Sequence, residues 1–178
     1  MHTDVLAFWF EEIDPRLWFA ADSEFDDLIR ARFLGLIDQA AAGELFPWRV
    51  TASGRLAEII VLDQFPRNVY RNTARAFAHD PVALVLAQEA VATGALGLLE
   101  PTQRSFLLLP YMHSESPQIH VVAEKLFKDF APALNYDFEL RHKAIIDRFG
   151  RYPHRNAVLG RDSTVDESEF LAQPGSRF

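Results

Sequence analysis

Two stretches of this chain gather arginine densely enough to do chemistry. DQFPRNVYRNTAR, residues 63–75, sets Arg67, Arg71 and Arg75 against a single acid, Asp63. RFGRYPHRNAVLGR, residues 148–161, holds Arg148, Arg151, Arg155 and Arg161 with no acid. Together they carry seven of the fifteen arginines of a 178-residue chain whose net charge is −7 and which has only three lysines. A guanidinium is planar, keeps its charge under burial and offers paired donors to a carboxylate or phosphate. Both stretches follow expected helix ends, where the next helix presents free N–H groups to an anion. One reading is a pocket for a small phosphorylated or carboxylated molecule, built from Arg67, Asn68 and Arg71 of the first stretch with Asp63 beside them. The second stretch would add Arg151, His154, Arg155, Asn156 and Arg161. The other reading makes these arginines clamps on helix C-termini, bonding unpaired carbonyls and pairing with acids of other helices.

A third polar spot is LLLPYMHSES, residues 107–116. Pro110 has no N–H, so a helix running through it leaves the Phe106 carbonyl unpaired and is expected to kink or stop there. Tyr111, His113, Ser114 and Glu115 come directly after. His113 suits a general acid or base, with Glu115 or Asp63 fixing its tautomer. His113 and Glu115 are therefore the candidate catalytic pair, and Tyr111 flanks them. Alternatively, they only satisfy backbone groups at a helix end. The types of His113, Glu115 and His154 suit zinc or manganese, yet His-Ser-Glu is no helix-face spacing and HExxH is absent, so no metal is expected. Ser114 lacks a GxSxG elbow, and there is neither a P-loop nor GxGxxG, so no nucleotide cofactor is expected. The absence of cysteine excludes disulfides, thiolate nucleophiles and Cys-ligated zinc. The other histidines (His2, His79, His120 and His142) read as surface or capping residues.

The elements that must position these groups are helices. A short one is expected over Thr3–Glu12, ended by Asp14-Pro15. A long one starts with Asp22 or Ser23 as its cap, shows Phe25, Leu28, Ile29, Phe33, Leu36 and Ile37 at spacings of three and four, and stops at Gly43. A third runs from about Ser53 to Phe65. Asp80-Pro81 reads as cap and first position of a helix reaching about Gly94. Glu100-Pro101 and Ser116-Pro117 open two more, the latter running through Phe130. Another covers Tyr136–Phe149 and stops at Gly150, and Thr164 with Glu167 forms a capping box for the last. No stretch alternates as a strand does. These patterns predict an all-α chain of about eight helices, in antiparallel pairs, forming a single domain over 1–178. No repeat near the tetratricopeptide period is visible.

Composition narrows the partners. Hydrophobic residues make up 49% and charged residues 24%, as in ordinary globular domains. An acidic chain lacks the basic face that nucleic acid requires. MHTDVLAFWFEE has no basic start or small-residue cleavage site, and no apolar run approaches membrane-spanning length. A cytoplasmic location, no membrane and no nucleic acid are the expectations. The exposed share of the aromatics Trp9, Phe10, Trp18, Phe19 and Trp48 decides the main alternative to a small anionic ligand, a helical scaffold that binds a protein partner or pairs as a homodimer.

DQFPRNVYRNTARAFAHDP, FLLLPYMHSES and RFGRYPHRNAVLGR, with the opening DVLAFWF, resemble a bacterial family designated domain of unknown function nine hundred and twenty-four, from about Asp4 to Leu171. The resemblance implies a fold of the tetratricopeptide-repeat-like superfamily, with helices stacked as antiparallel hairpins. It implies no activity, cofactor or catalytic residue.

Overall fold

The computed structural model describes residues 1–176, so the last two residues of the expected 1–178 domain lie outside it. The described chain is helical and contains no strand. Its α-helices are α1 (His2–Ala7), α2 (Ser23–Ala41), α3 (Ala52–Asp63), α4 (Phe65–Val69), α5 (Asp80–Ala92), α6 (Pro101–Met112), α7 (Pro117–Phe130), α8 (Ala133–Phe149) and α9 (Val165–Leu171). One π-helical turn, Phe8–Glu12, extends α1, and short 3-10 turns fill most connections.

Local chemistry explains most of the boundaries. Asp22 accepts from the Phe25 N–H at 2.9 Å and opens α2. The Glu100 N–H donates to the Gln103 side chain at 3.1 Å at the start of α6. At α9, Thr164 and Glu167 exchange reciprocal bonds, with the Thr164 N–H reaching Glu167 Oε2 at 2.7 Å. Gly150, with φ +68°, ends α8 in the left-handed region that glycine enters without strain.

Two boundaries differ from the sequence reading, for physical reasons. Asp80 is the first residue of α5 rather than its cap, because its carboxylate is held elsewhere by two arginines. The third helix stops at Asp63 rather than near Phe65, which instead opens α4 ahead of Pro66. Pro66 sits in the first turn of α4, where a missing N–H costs nothing. Pro110 is accommodated inside α6, which stops at Met112, within one turn of it.

The core forms around α3, whose residues Leu56 to Asp63 are all buried. This helix packs against α1, α2, α5 and α6. Phe8, Trp9, Phe25, Phe33, Phe65 and Phe106 make one aromatic cluster beside it, with Phe33 and Phe65 stacked at 4.8 Å and Trp9 edge-on to Phe106 at 5.7 Å. Gly54 is needed where α3 begins, since a Cβ there would collide with the Trp48 carbonyl oxygen. The helices α6, α7 and α8 pack in succession, the last two joined through Ala131 and Pro132. Ile145, Ile146 and Tyr152 form a second, smaller cluster under the C-terminal segment.

Candidate functional site

The ends of several helices meet at one place. Asp63 closes α3, Arg67 lies one turn further on in α4, Asp80 opens α5, and His113 directly follows α6. The segment after α8 brings Tyr152 and Arg155 to the same spot. Helix ends carry unpaired backbone groups, so polar side chains collect where ends converge.

Asp63 is fully buried. Its Oδ1 lies 2.8 Å from His113 Nδ1 and 3.3 Å from an Arg67 nitrogen, and its Oδ2 accepts from the Gln64 amide at 2.5 Å. Burial alone would raise this carboxyl. The positive charge of Arg67 and the hydrogen bonds donated by His113 and Gln64 outweigh it and hold Asp63 ionised, well below the usual carboxylate range. Arg67 is likewise pushed above its ordinary value against burial, by Asp63 and by Asp80, which it grips with two bonds of 2.9 and 3.0 Å. Burial comes first for His113, then repulsion from Arg67. Together they overcome the attraction of Asp63 and keep the imidazole below its ordinary 6.5, hence neutral at pH 7. A neutral ring facing an ionised carboxylate must place its proton on Nδ1. Nε2 then carries the lone pair, and it has no hydrogen-bond partner among the described residues.

A hollow of about 410 Å³ lies against this cluster. His113, Ser114, Glu115, Asp80 and Arg155 supply its polar wall. Phe77, Pro81, Leu84, Pro110 and Leu159 supply its apolar wall. Arg155 is 6% exposed, and its guanidinium lies over the rings of Phe77 and Tyr152 at 4.6 and 4.7 Å. It makes one hydrogen bond, 3.3 Å to Asp80 Oδ2, an oxygen that Arg67 also holds. Its buried Nε has no partner. Burial pulls Arg155 below the ordinary arginine value, only partly offset by Asp80.

The rest of the wall is fixed from behind. Glu115 takes a paired contact from Arg161 at 2.6 and 2.9 Å and accepts the Tyr152 N–H at 2.8 Å. Burial raises Glu115, but these bonds bring it below its ordinary value. Tyr152 donates its hydroxyl to the Met112 carbonyl, the residue before His113. The His120 Nε2–H donates to the Ser114 carbonyl at 2.8 Å, and His120 Nδ1 faces Glu139 at 2.8 Å, tying α7 to α8. His120 and His142 are thus buried rather than superficial, and burial drives His142 down to about 3. Of the two acids considered as partners for His113, Asp63 occupies that position and Glu115 binds Arg161 instead.

Of the residues picked from the sequence, Asp63, Arg67, His113, Glu115, Arg155 and Arg161 come together around the hollow. The others lie elsewhere. Arg71 grips Asp26 of α2 with two bonds of 2.6 Å, and Asn68 donates to the same carboxylate at 2.8 Å. Arg151 grips Glu167 at 2.6 and 2.8 Å. Asn156 donates to Ser163 at 3.0 Å and to Glu167 at 3.3 Å. Tyr111 is buried in the main core, and burial pushes its phenol up to about 12. The His154 ring packs 5.5 Å from that of Tyr152, outside the hollow's lining.

Sequence reasoning missed Asp80, Phe77 and Tyr152. Asp80 had a signal, as the sole acid between the first arginine stretch and the helix that follows it, and Tyr152 stands inside the second stretch. No group of three or more His, Cys, Asp or Glu among the described residues could hold a metal ion. Of the aromatics that could have formed a docking face, Trp9 is buried, Phe10, Trp18 and Trp48 are half-buried, and Phe19 is exposed. No helix among the described residues is long and apolar enough to cross a membrane.

Fold and site together define an all-helical protein whose helix ends enclose a balanced set of acids and arginines around one histidine. The family described as "Bacterial protein of unknown function (DUF924)" matches residues 5–175, and the chain belongs to it. A solved structure described as a protein of unknown function, ATU0120 from Agrobacterium tumefaciens, is similar throughout: 36% identity over 96% of both chains, with a TM-score of 0.91. No curated protein matches the chain.

Proposed function

We propose that this protein binds a small organic anion in the hollow between α5, α6 and the segment after α8, and that His113 moves a proton on that ligand or on a water beside it. The observation that carries this reading is the division of labour in the His113 ring. Nδ1 is held by the buried Asp63 at 2.8 Å, which leaves the Nε2 lone pair unbonded on a residue that lines the hollow. A neutral imidazole oriented by a carboxylate is the arrangement a general base requires. Arg155, with donors uncommitted in the same wall, is the anchor for negative charge.

The test is nitrogen-detected NMR of the histidine rings during titration with a panel of small organic acids and phosphate esters. At least one compound is expected to move the His113 Nε2 resonance and the Arg155 Nε–H together. The same ligand at 100 times its dissociation constant should add about 2.7 kcal/mol of stability. If no member of the panel moves either signal at millimolar concentration, the pocket reading fails.

A further inference from the structure

Resting on the pocket reading, we propose that the ligand is a monocarboxylate with an apolar body, its carboxylate on Arg155 and its body against Phe77, Leu84 and Leu159. Charge selects the valence of the ligand. Asp63 and Asp80 balance Arg67 and Arg155, and Glu115 balances Arg161, so the cluster is neutral while His113 is neutral. A buried neutral cluster in which Arg155 is held by a single long bond accommodates a single negative charge far better than two. Asp80 and Glu115 also line the hollow and would repel the second charge of a phosphate monoester.

The donors select the shape of the charged group. Arg67 and Arg161 are each gripped in paired contacts, but Arg155 bonds Asp80 through one nitrogen at 3.3 Å. Two parallel N–H···O bonds from a guanidinium match the spacing of a carboxylate. The ring stack on Phe77 and Tyr152 fixes the plane of the Arg155 group before any ligand arrives, which lowers the ordering cost of binding.

The remaining wall selects the body of the ligand. Ala74, Ala78, Pro81 and Pro110 join the three larger apolar side chains, and the volume of about 410 Å³ falls in the range of small-molecule sites, roughly 300–1,000 Å³. Such a wall offers a sugar or a second anionic group few hydrogen-bond partners, whereas an alkyl or aryl body gains from burial against it. His113 Nε2 would then face the ligand's body or an adjoining water.

Titration calorimetry on the full chain tests this with benzoate and hexanoate, their amides, phenyl phosphate and inorganic phosphate, and with the His113 ring signals followed in parallel. The carboxylates are expected to bind, and the amides and phosphates to bind about tenfold to a hundredfold more weakly. Arg155→Met, which keeps the stem between the two rings, should lose a similar factor. Leu84→Trp should block the carboxylates by filling the hollow without touching a charge. Phosphates or amides that equal the carboxylates while moving the His113 signal would overturn the ligand class and leave the pocket standing. No binding and no movement of His113 by any compound would overturn both. Should Arg155→Met fail to fold, undiminished carboxylate binding by Leu84→Trp would overturn the assigned location.

Discussion

Arg151 and Arg155 stand in the same short motif and meet opposite surroundings. Arg151 is held in a paired grip. Its Nε and one terminal nitrogen hold both oxygens of Glu167, and that terminal nitrogen also donates to the Asp162 carbonyl at 2.9 Å. Glu167 is itself part of the cap of α9. Arg71 repeats this at the other stretch, holding Asp26 of α2. Arg155 is more deeply buried than either, yet it has one long bond and an unpartnered Nε. Burial of an arginine therefore does not tell a clamp from a site. The number of its donors already taken does, because a guanidinium left incomplete in low dielectric gains most from an added anion.

Several variants would break or sharpen this contrast. The largest effect is expected from Asp63→Ala, which leaves Arg67 with half its compensation and His113 without its orienting partner. Urea denaturation should show a loss of about 3–5 kcal/mol. A loss below about 1 kcal/mol would mean that the helix-end cluster contributes little to the fold. Arg151→Ala should come next, with a clear drop in the urea midpoint, since it removes the paired contact on Glu167 at the start of α9. Arg155→Met should cost less than either, because its one ion-pair bond is 3.3 Å long and Asp80 keeps its paired contact with Arg67. If Arg155→Met proves as damaging as Arg151→Ala, the distinction between clamp and site collapses.

The smallest effect is in pH. The Arg151 hydrogen bond, with help from the Thr164 N–H, brings Glu167 from its ordinary 4.5 down to about 2. A carboxylate depressed by folding stabilises the native state fully above its unfolded value and loses that contribution as pH falls through the folded one. The stability gap between the wild-type chain and Arg151→Ala should therefore narrow between pH 4.5 and about 2. Denaturation midpoints at pH 6, 4 and 3 would read it, and a constant gap would remove Glu167 from the account.

The sequence made much of the fold legible, because helix starts and stops are local. Asp22, the Thr164–Glu167 pair, Gly150 and the Pro-led openings of α6 and α7 act within a turn of the chain, where one sequence suffices. Which arginines meet is a different kind of fact. Arg71 finds Asp26 across 45 residues and Arg155 finds Asp80 across 75, and composition says nothing about such pairings. Asp80 shows how the two levels compete. As a local signal it announces a helix start, and the helix does start there. Its carboxylate nevertheless bonds Arg67 and Arg155 instead of capping, since two buried guanidinium groups outbid one backbone N–H. His120 reads as superficial until α8 brings Glu139 against it.

The most direct test is the protonation state of His113, read from its two ring nitrogens by long-range nitrogen–proton NMR across pH 5 to 8. A neutral ring at pH 7 with the proton on Nδ1 is expected, with a titration midpoint below 6.5 that shifts when Asp63→Asn removes the carboxylate charge. A ring that is charged at pH 7, or whose proton sits on Nε2, would contradict that expectation.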